Sequence, residues 1–252
     1  MKSKLLLCAS VLLAILGMKR YYAGAGADDL WWILGPTARL TGGIAKVSFL
    51  IEPGAGYLSR ERLFLIEKSC AGVSFMIAAF AMLTFVLRRR VTSFSSGAIV
   101  LAGSLFAAYS AAVIVNAARI TFAIWLMGRP LTFLNFTPAQ SHRVEGITVY
   151  FVGLMLLNEL VLRVDRGATS FRRAATPLAF YYAVTLALPL ANGAAGSAFL
   201  EHALVVLSVP PILIVLFCSA RGVVSLAYWT NQAKFPDQRT SHRAVVSPEG
   251  RT

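Results

Sequence analysis

Long runs of apolar residues, separated by short basic clusters, dominate the chain. A helix needs about 20 apolar residues to cross the hydrocarbon core, and lipid excludes irregular backbone that is exposed to it. The pattern therefore predicts an all-α, polytopic transmembrane helical bundle with about six spans. The predicted spans cover residues 5–18, 70–87, 97–115, 144–162, 177–190 and 198–218.

Two stretches do not fit a simple span. Residues 30–51 are apolar, but a tryptophan pair is typical of the membrane interface, and Pro36 and a glycine pair interrupt the run. We expect an interfacial or re-entrant segment there. Residues 97–127 would extend about 45 Å as one helix, which is too long for one straight crossing. We expect this span to end near Val115 and the rest to lie along the outer interface.

The two ends of the chain carry separate signals. The first apolar run follows a basic start, so it is either a cleaved signal peptide or a short, uncleaved first helix. Lys19 and Arg20 directly after the run disfavour cleavage, and we favour the uncleaved helix. Residues 230–252 are polar and are expected to form a disordered cytoplasmic tail behind a single transmembrane domain, residues 1–229.

Composition agrees with a membrane protein. Of the 252 residues, 57% are apolar and 14% are charged, and the mean hydropathy is +0.68, which leaves too little polar surface for a soluble domain. The net charge of +13 would suggest a nucleic-acid partner in a soluble protein. Here the basic residues form short clusters, which are typical of topology signals that face membrane lipids. We expect no nucleic-acid partner, because no basic stretch is interleaved with aromatic residues.

The basic clusters predict the orientation of the chain. If residues 88–90 and 163–173 face the cytoplasm, both termini lie inside as well. The same orientation places Cys70, Arg119 and His142 together at the outer face, although they come from three different segments. This predicted meeting makes the three residues candidates for one active site.

Cys70 is the candidate nucleophile. It is expected to open a membrane helix from the outer side, where the partial positive charge of the helix N-terminus stabilises a thiolate. Gly72 is expected to leave room for a substrate backbone. The alternative is a small apolar filler without a chemical role, which is our interpretation of Cys8 and Cys218. Three cysteines without regular spacing predict neither a disulfide framework nor a metal site, and we expect no cofactor.

The other two candidates are suited to move protons and to bind an oxyanion. His142 is expected to open the next helix from the outer side, with Gly146 one turn on leaving space beside the imidazole. Arg119 shares a helix face with Asn116, and its planar fork of donors suits an oxyanion or a carboxylate. An interfacial histidine and a snorkelling arginine are the alternatives. With Cys70, these residues are the parts of acyl transfer through a thiol.

Three short motifs resemble those of the exosortase/archaeosortase family of membrane transpeptidases, most closely the single-domain exosortase K form. The motifs are Cys70-Ala71-Gly72-Val73-Ser74, Asn116-Ala117-Ala118-Arg119-Ile120, and His142 with Gly146. The resemblance implies that Cys70 is the thiol nucleophile and that Arg119 and His142 are its catalytic partners, with supporting roles for Asn116, Gly72, Ser74 and Gly146. Archaeal members have arginine in place of the histidine, so the resemblance is to the bacterial branch.

The family resemblance implies protein sorting at a bacterial inner membrane, with the active site facing the periplasm. The substrates would be exported proteins with a C-terminal signal made of a short motif, a membrane helix and a basic cluster. A cysteine peptidase of this type cleaves the signal through a thioacyl intermediate and passes the protein to a surface acceptor. Neither a cofactor nor a metal is implied.

Other functions stay open. A non-catalytic membrane component of an envelope polysaccharide or protein export or assembly system requires only the bundle and its basic face. A small transporter is a weaker alternative, because paired intramembrane charges and inverted repeats are not apparent. Glu159 is the only acid well inside a predicted span. Whether Glu67 or Glu145 orients His142 also stays open.

Overall fold

Helices dominate the chain. The computed structural model describes residues 2–61, 64–127, 138–163, 170–193 and 196–234. Six helical segments in these ranges are long and apolar enough to cross a membrane, so the predicted all-α polytopic fold is confirmed and the chain is a multi-pass membrane protein. The segments are Lys2–Gly24, Lys68–Arg90, Phe94–Leu126, Ser141–Leu162, Arg173–Ala191 and Phe199–Ser219.

The described residues form helices of very different lengths and three short strands. The α-helices are α1 (Lys2–Gly24), α2 (Trp31–Ala45), α3 (Val73–Leu87), α4 (Phe94–Leu126), α5 (Pro138–Leu162), α6 (Ser170–Tyr182), α7 (Leu188–Ala191) and α8 (Ser197–Lys234). The strands are β1 (Leu50–Glu52), β2 (Gly56–Ser59) and β3 (Phe64–Ile66). Short 3-10 turns cover Asp28–Leu30, Lys68–Cys70 and Arg88–Arg90, and a π-helical stretch, Ala183–Ala187, joins α6 to α7.

The chain divides into two compact units. The first, Met1–Pro210, contains every element up to α7 and the first part of α8. The second, Pro211–Thr252, contains the rest of α8. This helix continues past Thr230 to Lys234, and the remaining residues of the predicted tail lie outside the described part of the chain.

α3 is the most enclosed span of the first unit. Of its apolar window 72% is buried, compared with 6% for α1. α3 contacts α1, α4, α5 and α6. Close packing between α4 and α5 depends on Gly153, because a Cβ atom there would lie 2.8 Å from a methyl group of Val115. These three packed helices, α3, α4 and α5, carry the candidate site.

α2 occupies the segment that the sequence predicts to be interfacial or re-entrant. It has 15 residues, which is too few to cross a bilayer core, and it is not among the six candidate spans. One face of α2 packs against α4, and the Tyr109 hydroxyl of α4 donates a hydrogen bond to the Trp32 carbonyl at 2.8 Å. α2 is therefore a short helix that packs on the bundle without spanning the bilayer.

A small antiparallel sheet between α2 and α3 is absent from the sequence prediction. Its strand order is β1-β2-β3, with Leu50 opposite Leu58 and Tyr57 opposite Ile66. Strands of three or four residues are too short to show a readable alternation of apolar and polar positions. β3 leads through Glu67 into the turn that ends at Cys70, so the sheet lies directly before the candidate nucleophile in the chain.

α4 contradicts the expectation that its span ends near Val115. It runs unbroken over 33 residues, which corresponds to about 50 Å. The helix begins with a capping box in which Ser93 and Ser96 bind each other's backbone amides, directly after the basic turn Arg88–Arg90. Its length exceeds the hydrocarbon core of roughly 30 Å, so a helix of this length has to tilt in the bilayer or extend beyond the core.

The polar residues of α4 explain why the helix does not break. Asn116 and Arg119 are both buried, and both find partners on neighbouring elements. A buried polar side chain costs little when it is hydrogen-bonded, so a continuous helix satisfies its own backbone and these side chains together. A turn at Val115 would not give the backbone or these two side chains better hydrogen-bond partners.

The acidic residue that the sequence analysis singled out within a span has a clear partner. Glu159 on α5 accepts a hydrogen bond from Arg173 on α6 at 2.8 Å, in a largely buried ion pair. Asn158 also donates to the Arg173 carbonyl, which ties the same two helices together. Glu159 therefore helps to join α5 to α6.

Candidate active site

Cys70 precedes α3 and does not open it, which corrects the sequence prediction. It is the last residue of the 3-10 turn Lys68–Cys70, and α3 begins three residues later at Val73. The reason is Gly72, which has a left-handed φ of +67° and therefore caps the helix instead of joining it. The Cys70 amide donates to the Glu67 carbonyl at 2.9 Å, so the turn is closed by its own backbone.

The space beside Gly72 is filled by protein. A Cβ atom at this position would lie 3.3 Å from Cγ of Asn116 and 3.4 Å from the hydroxyl oxygen of Tyr150. Glycine is therefore required by the backbone angle and by the approach of α4 and α5. This differs from the expected role, in which Gly72 leaves room for a substrate backbone.

Asn116 links the cysteine turn to α4 and α5. Its side-chain amide donates a hydrogen bond to the main-chain carbonyl of Cys70. Its amide oxygen accepts one hydrogen bond from the Tyr150 hydroxyl at 2.8 Å and another from Nε of Arg119 at 3.3 Å. Asn116 is fully buried, so these bonds hold three segments together in a protected environment.

Arg119 places a buried cation next to the candidate nucleophile. It is 7% exposed, and it interacts electrostatically with Cys70, Tyr150 and Glu145. Its guanidinium carbon lies 5.3 Å from the centre of the Tyr150 ring, within the range of a cation–π contact. Among the described residues its Nη2 atom is buried without a hydrogen-bond partner. A buried unpaired donor is costly, and a substrate oxygen would satisfy it.

His142 is paired with a buried carboxylate at the edge of this cluster. Its Nδ1 atom lies 3.1 Å from Oε2 of Glu145, whose side chain is 4% exposed, whereas the imidazole is 53% exposed. The second carboxylate oxygen of Glu145 is buried and has no partner in the described part of the chain. Glu145 also interacts electrostatically with Arg119, although no salt bridge joins the two among the described residues.

The rival carboxylate has a different partner. Glu67 accepts a hydrogen bond from the Ser69 hydroxyl at 2.7 Å, and this hydroxyl lies 3.8 Å from the Cys70 sulfur. Of the two acids that the sequence leaves open, Glu145 is thus the one that contacts His142. No hydrogen bond joins His142 directly to Cys70 among the described residues.

The two remaining supporting residues have different outcomes. A Cβ atom at Gly146 would contact Cδ and Nη1 of Arg119 at 3.8 Å, so this glycine faces the arginine. The expectation that it leaves space beside the imidazole is therefore wrong. Ser74 is exposed, and none of the hydrogen bonds of the cluster involves it. Gly146 therefore belongs to the site, whereas Ser74 lies outside its contacts.

Two tyrosines of the site are missing from the sequence prediction. Tyr150 follows Gly146 by four residues and thus lies on the same face of α5, which is a readable signal once that face is known to meet Arg119. Tyr22, at the end of α1, donates to the Lys68 carbonyl at 3.1 Å, and the Lys68 ammonium lies 5.1 Å from its ring centre. No local pattern around Tyr22 signals this long-range contact.

The described residues contain no group of three or more His, Cys, Asp and Glu side chains that could hold a metal ion. Comparison with protein-family models, with characterised proteins and with solved structures found no match for the chain. The chemistry of the site therefore has to be read from its own contacts. The site combines a cysteine turn, a buried arginine whose Nη2 has no partner among the described residues, and a histidine–carboxylate pair.

Proposed function

We propose that the chain is a membrane-embedded cysteine transpeptidase or protease that cleaves the C-terminal sorting signal of exported proteins. The observation that carries the proposal is the junction of Cys70 with Asn116 and Arg119 of α4, a distant part of the chain that meets the cysteine turn through buried contacts. The motif resemblance to exosortases supports the same residues. A purely structural cysteine would not require beside it a buried cation whose Nη2 has no partner among the described residues.

The first chemical step is acyl transfer to sulfur. The thiolate of Cys70 attacks the carbonyl carbon of the scissile amide, and a C–S bond forms while the carbonyl electrons move onto oxygen. The buried Nη2 of Arg119 donates to this oxyanion. Collapse of the tetrahedral species breaks the C–N bond and leaves a thioester on Cys70. The departing amine receives the proton that the thiol released.

The histidine carries this proton. Glu145 holds Nδ1 of His142, and within the described residues Nε2 has no hydrogen-bond partner. Nε2 thus takes the thiol proton and returns it to the leaving amine. His142 and Cys70 have no direct bond, so substrate entry brings the two groups into proton-transfer range. Catalytic hydrogen bonds are commonly long before substrate binds.

The second step regenerates the enzyme. A nucleophile, either an amine of a surface acceptor or water, attacks the thioester carbon and breaks the C–S bond. The nucleophile loses a proton to His142, and the sulfur leaves as the Cys70 thiolate. An amine acceptor yields a transpeptidase and water yields a protease.

The proposed setting is the inner membrane of a bacterium, with both termini in the cytoplasm and the site facing the periplasm. The basic turn Arg88–Arg90 ends α3, and the cysteine turn precedes the same helix, so the two lie at opposite ends of one span. A cytoplasmic arginine turn thus leaves Cys70 on the outer side. Exported proteins with a C-terminal motif, helix and basic cluster would reach it from that side.

The test is processing of a tailed substrate in cells. Cys70→Ala and Cys70→Ser should abolish cleavage of a co-expressed exported protein that carries such a C-terminal signal, while both variants still insert in the membrane. Cys8→Ala and Cys218→Ala are matched controls, because both thiols are exposed and lie in other helices, and they should leave cleavage intact. Normal processing by Cys70→Ala would refute the proposed chemistry.

One observation favours the second candidate, a non-catalytic component of an export or assembly system. Cys70 is only 8% exposed, which is typical of a packed core thiol. Under this alternative the junction with Asn116 serves stability alone. Thiol accessibility separates the two functions, since a nucleophile must be reachable from the outer side.

A further inference from the structure

A groove runs along the bundle between α1, α3 and α6, away from the residues of the candidate active site. It has a volume of about 260 Å³, and apolar side chains form most of its walls, among them Leu12 and Ile15 of α1 and Phe180 of α6. α1 covers it loosely, because only 6% of the apolar window of this helix is buried. A groove of this kind between membrane spans is open to a lipid chain.

The groove has a charged end. Arg88 lines it and lies over the Phe85 ring at 4.0 Å, so the guanidinium is held against the apolar wall. Arg88, Arg89 and Arg90 are all exposed. Among the described residues none of the three forms a salt bridge, so their charge is available to a ligand.

The start of α1 adds to the same basic face. A neighbouring cavity is lined by Lys2 and by Phe94, the first residue of α4, which follows the arginine turn closely. Lys2 therefore lies near the connection between α3 and α4. The groove thus combines an apolar slot within the membrane-spanning region with a mouth at which several positive charges gather.

We propose that this groove binds an anionic diacyl phospholipid, with an acyl chain along Leu12 and Phe85 and the phosphate at Arg88. The apolar walls match the chain, and the exposed arginines match the headgroup. A zwitterionic lipid would leave the cluster uncompensated. A second protein helix would have to bring its own acidic residues to the same place. The bound lipid fills the groove that α1 covers loosely, at the end of α3 opposite the cysteine turn.

The test measures lipid binding directly. Purified protein in detergent is titrated with phosphatidylglycerol or phosphatidylcholine of identical acyl chains, and retained lipid is counted by native mass spectrometry. Wild-type protein should retain phosphatidylglycerol at lower concentration. Arg88→Gln should weaken its retention roughly fivefold, because one basic residue near a membrane surface contributes about that factor. Arg39→Gln, at an exposed arginine of α2, is the charge control and should change nothing.

A second pair of variants tests the groove itself. Leu12→Trp fills the groove and should abolish the preference for phosphatidylglycerol. Leu13→Trp is the matched control, since Leu13 is 70% exposed and does not line the groove, and it should keep the preference. Equal retention of both lipids by wild-type protein, or a preference that survives Leu12→Trp in a variant with unchanged thermal unfolding, would overturn the proposal. Efficient disulfide dimerisation through Cys8, which also lines the groove, would overturn it as well by showing a second copy there.

Discussion

The side-chain amide of Asn116 donates a hydrogen bond to the main-chain carbonyl of Cys70. This bond joins the middle of the long helix α4 to the turn before α3, across 46 positions of the chain. Because Asn116 also binds Tyr150 and Arg119, the position of the thiol depends on the packing of α4 and α5. The candidate nucleophile is thus held by side-chain contacts that only the folded bundle creates.

Arg119→Lys should lower the rate of substrate processing by about 100-fold, the loss expected when one oxyanion donor is removed. Lysine keeps the charge but loses the planar fork that lets Nε bind Asn116 while Nη2 stays free. The rate of signal cleavage at saturating substrate measures the effect. Arg39→Lys, at an exposed position of α2, is the control and should be neutral. Full activity of Arg119→Lys would remove the oxyanion role.

Tyr150→Phe should show energetic coupling to Asn116→Ala. The phenylalanine lacks the hydroxyl that donates to Asn116 at 2.8 Å. In the double variant this hydrogen bond is lost only once, so the combined loss of stability is smaller than the sum of the two single losses. We expect a coupling energy of about 0.5–3 kcal/mol in a double-mutant cycle of unfolding free energies in detergent. Tyr109→Phe, whose hydroxyl binds the Trp32 carbonyl instead, should be additive with Asn116→Ala. Additivity of Tyr150→Phe would contradict the network.

Gly72→Ala should destabilise the protein by at least about 1–2 kcal/mol, the cost of a left-handed backbone for a residue with a Cβ atom. The new methyl group would also press on Asn116 and Tyr150 and displace the cysteine turn. Thermal unfolding and signal cleavage should therefore both suffer. Gly103→Ala is the control, because that glycine lies within α4 and, among the described residues, no atom beyond its own stretch of the helix lies within 4 Å of its Cβ position. It should be neutral or slightly stabilising.

Glu145→Gln should disturb the imidazole of His142 without unfolding the protein. The carboxylate can only accept from Nδ1–H, whereas an amide can also donate to Nδ1 and allow the other tautomer. We expect processing to fall at least about tenfold, as when the acid that orients a catalytic histidine is replaced by its amide. The ¹⁵N NMR signals of His142 in labelled protein should change from one tautomer to a mixture.

The control for this substitution is Glu67→Gln, because Glu67 binds Ser69 and not the imidazole. The ¹⁵N signals of His142 should be unchanged in that variant. If Glu145→Gln leaves the tautomer of His142 unaltered and processes substrate fully, Glu145 does not position His142. Because the NMR measurement needs no substrate, it tests the contact between Glu145 and His142 independently of the proposed reaction.

Thiol labelling should find Cys70 accessible from the outer side of the membrane. In a Cys8→Ser, Cys218→Ser background only Cys70 remains to react. A small, membrane-impermeant reagent should modify it in oriented vesicles or intact cells, and Arg119→Gln should slow the reaction by removing the neighbouring cation. A thiol that reacts only after denaturation would favour the non-catalytic component.

Much of the fold was readable from the sequence because membrane spans leave a strong signal. The six candidate spans follow from runs of apolar residues, since each helix must satisfy its own backbone in lipid. The short strands were not readable, and the end of α4 was placed wrongly at Val115. Both errors concern polar groups whose partners lie elsewhere in the chain, which no local pattern reports.

For the candidate site, the sequence by itself determined which residues could carry the chemistry, and it predicted one membrane level for them. Cys70, Arg119 and His142 stand out by residue type and by charge topology, and a topology constraint acts on whole helices. Only the tertiary structure decided the contacts within that level. It placed Asn116 and Tyr150 against Gly72, paired Glu145 with His142, and set Cys70 before α3. Such contacts depend on helix rotation and close packing between distant segments, which apolar periodicity does not encode.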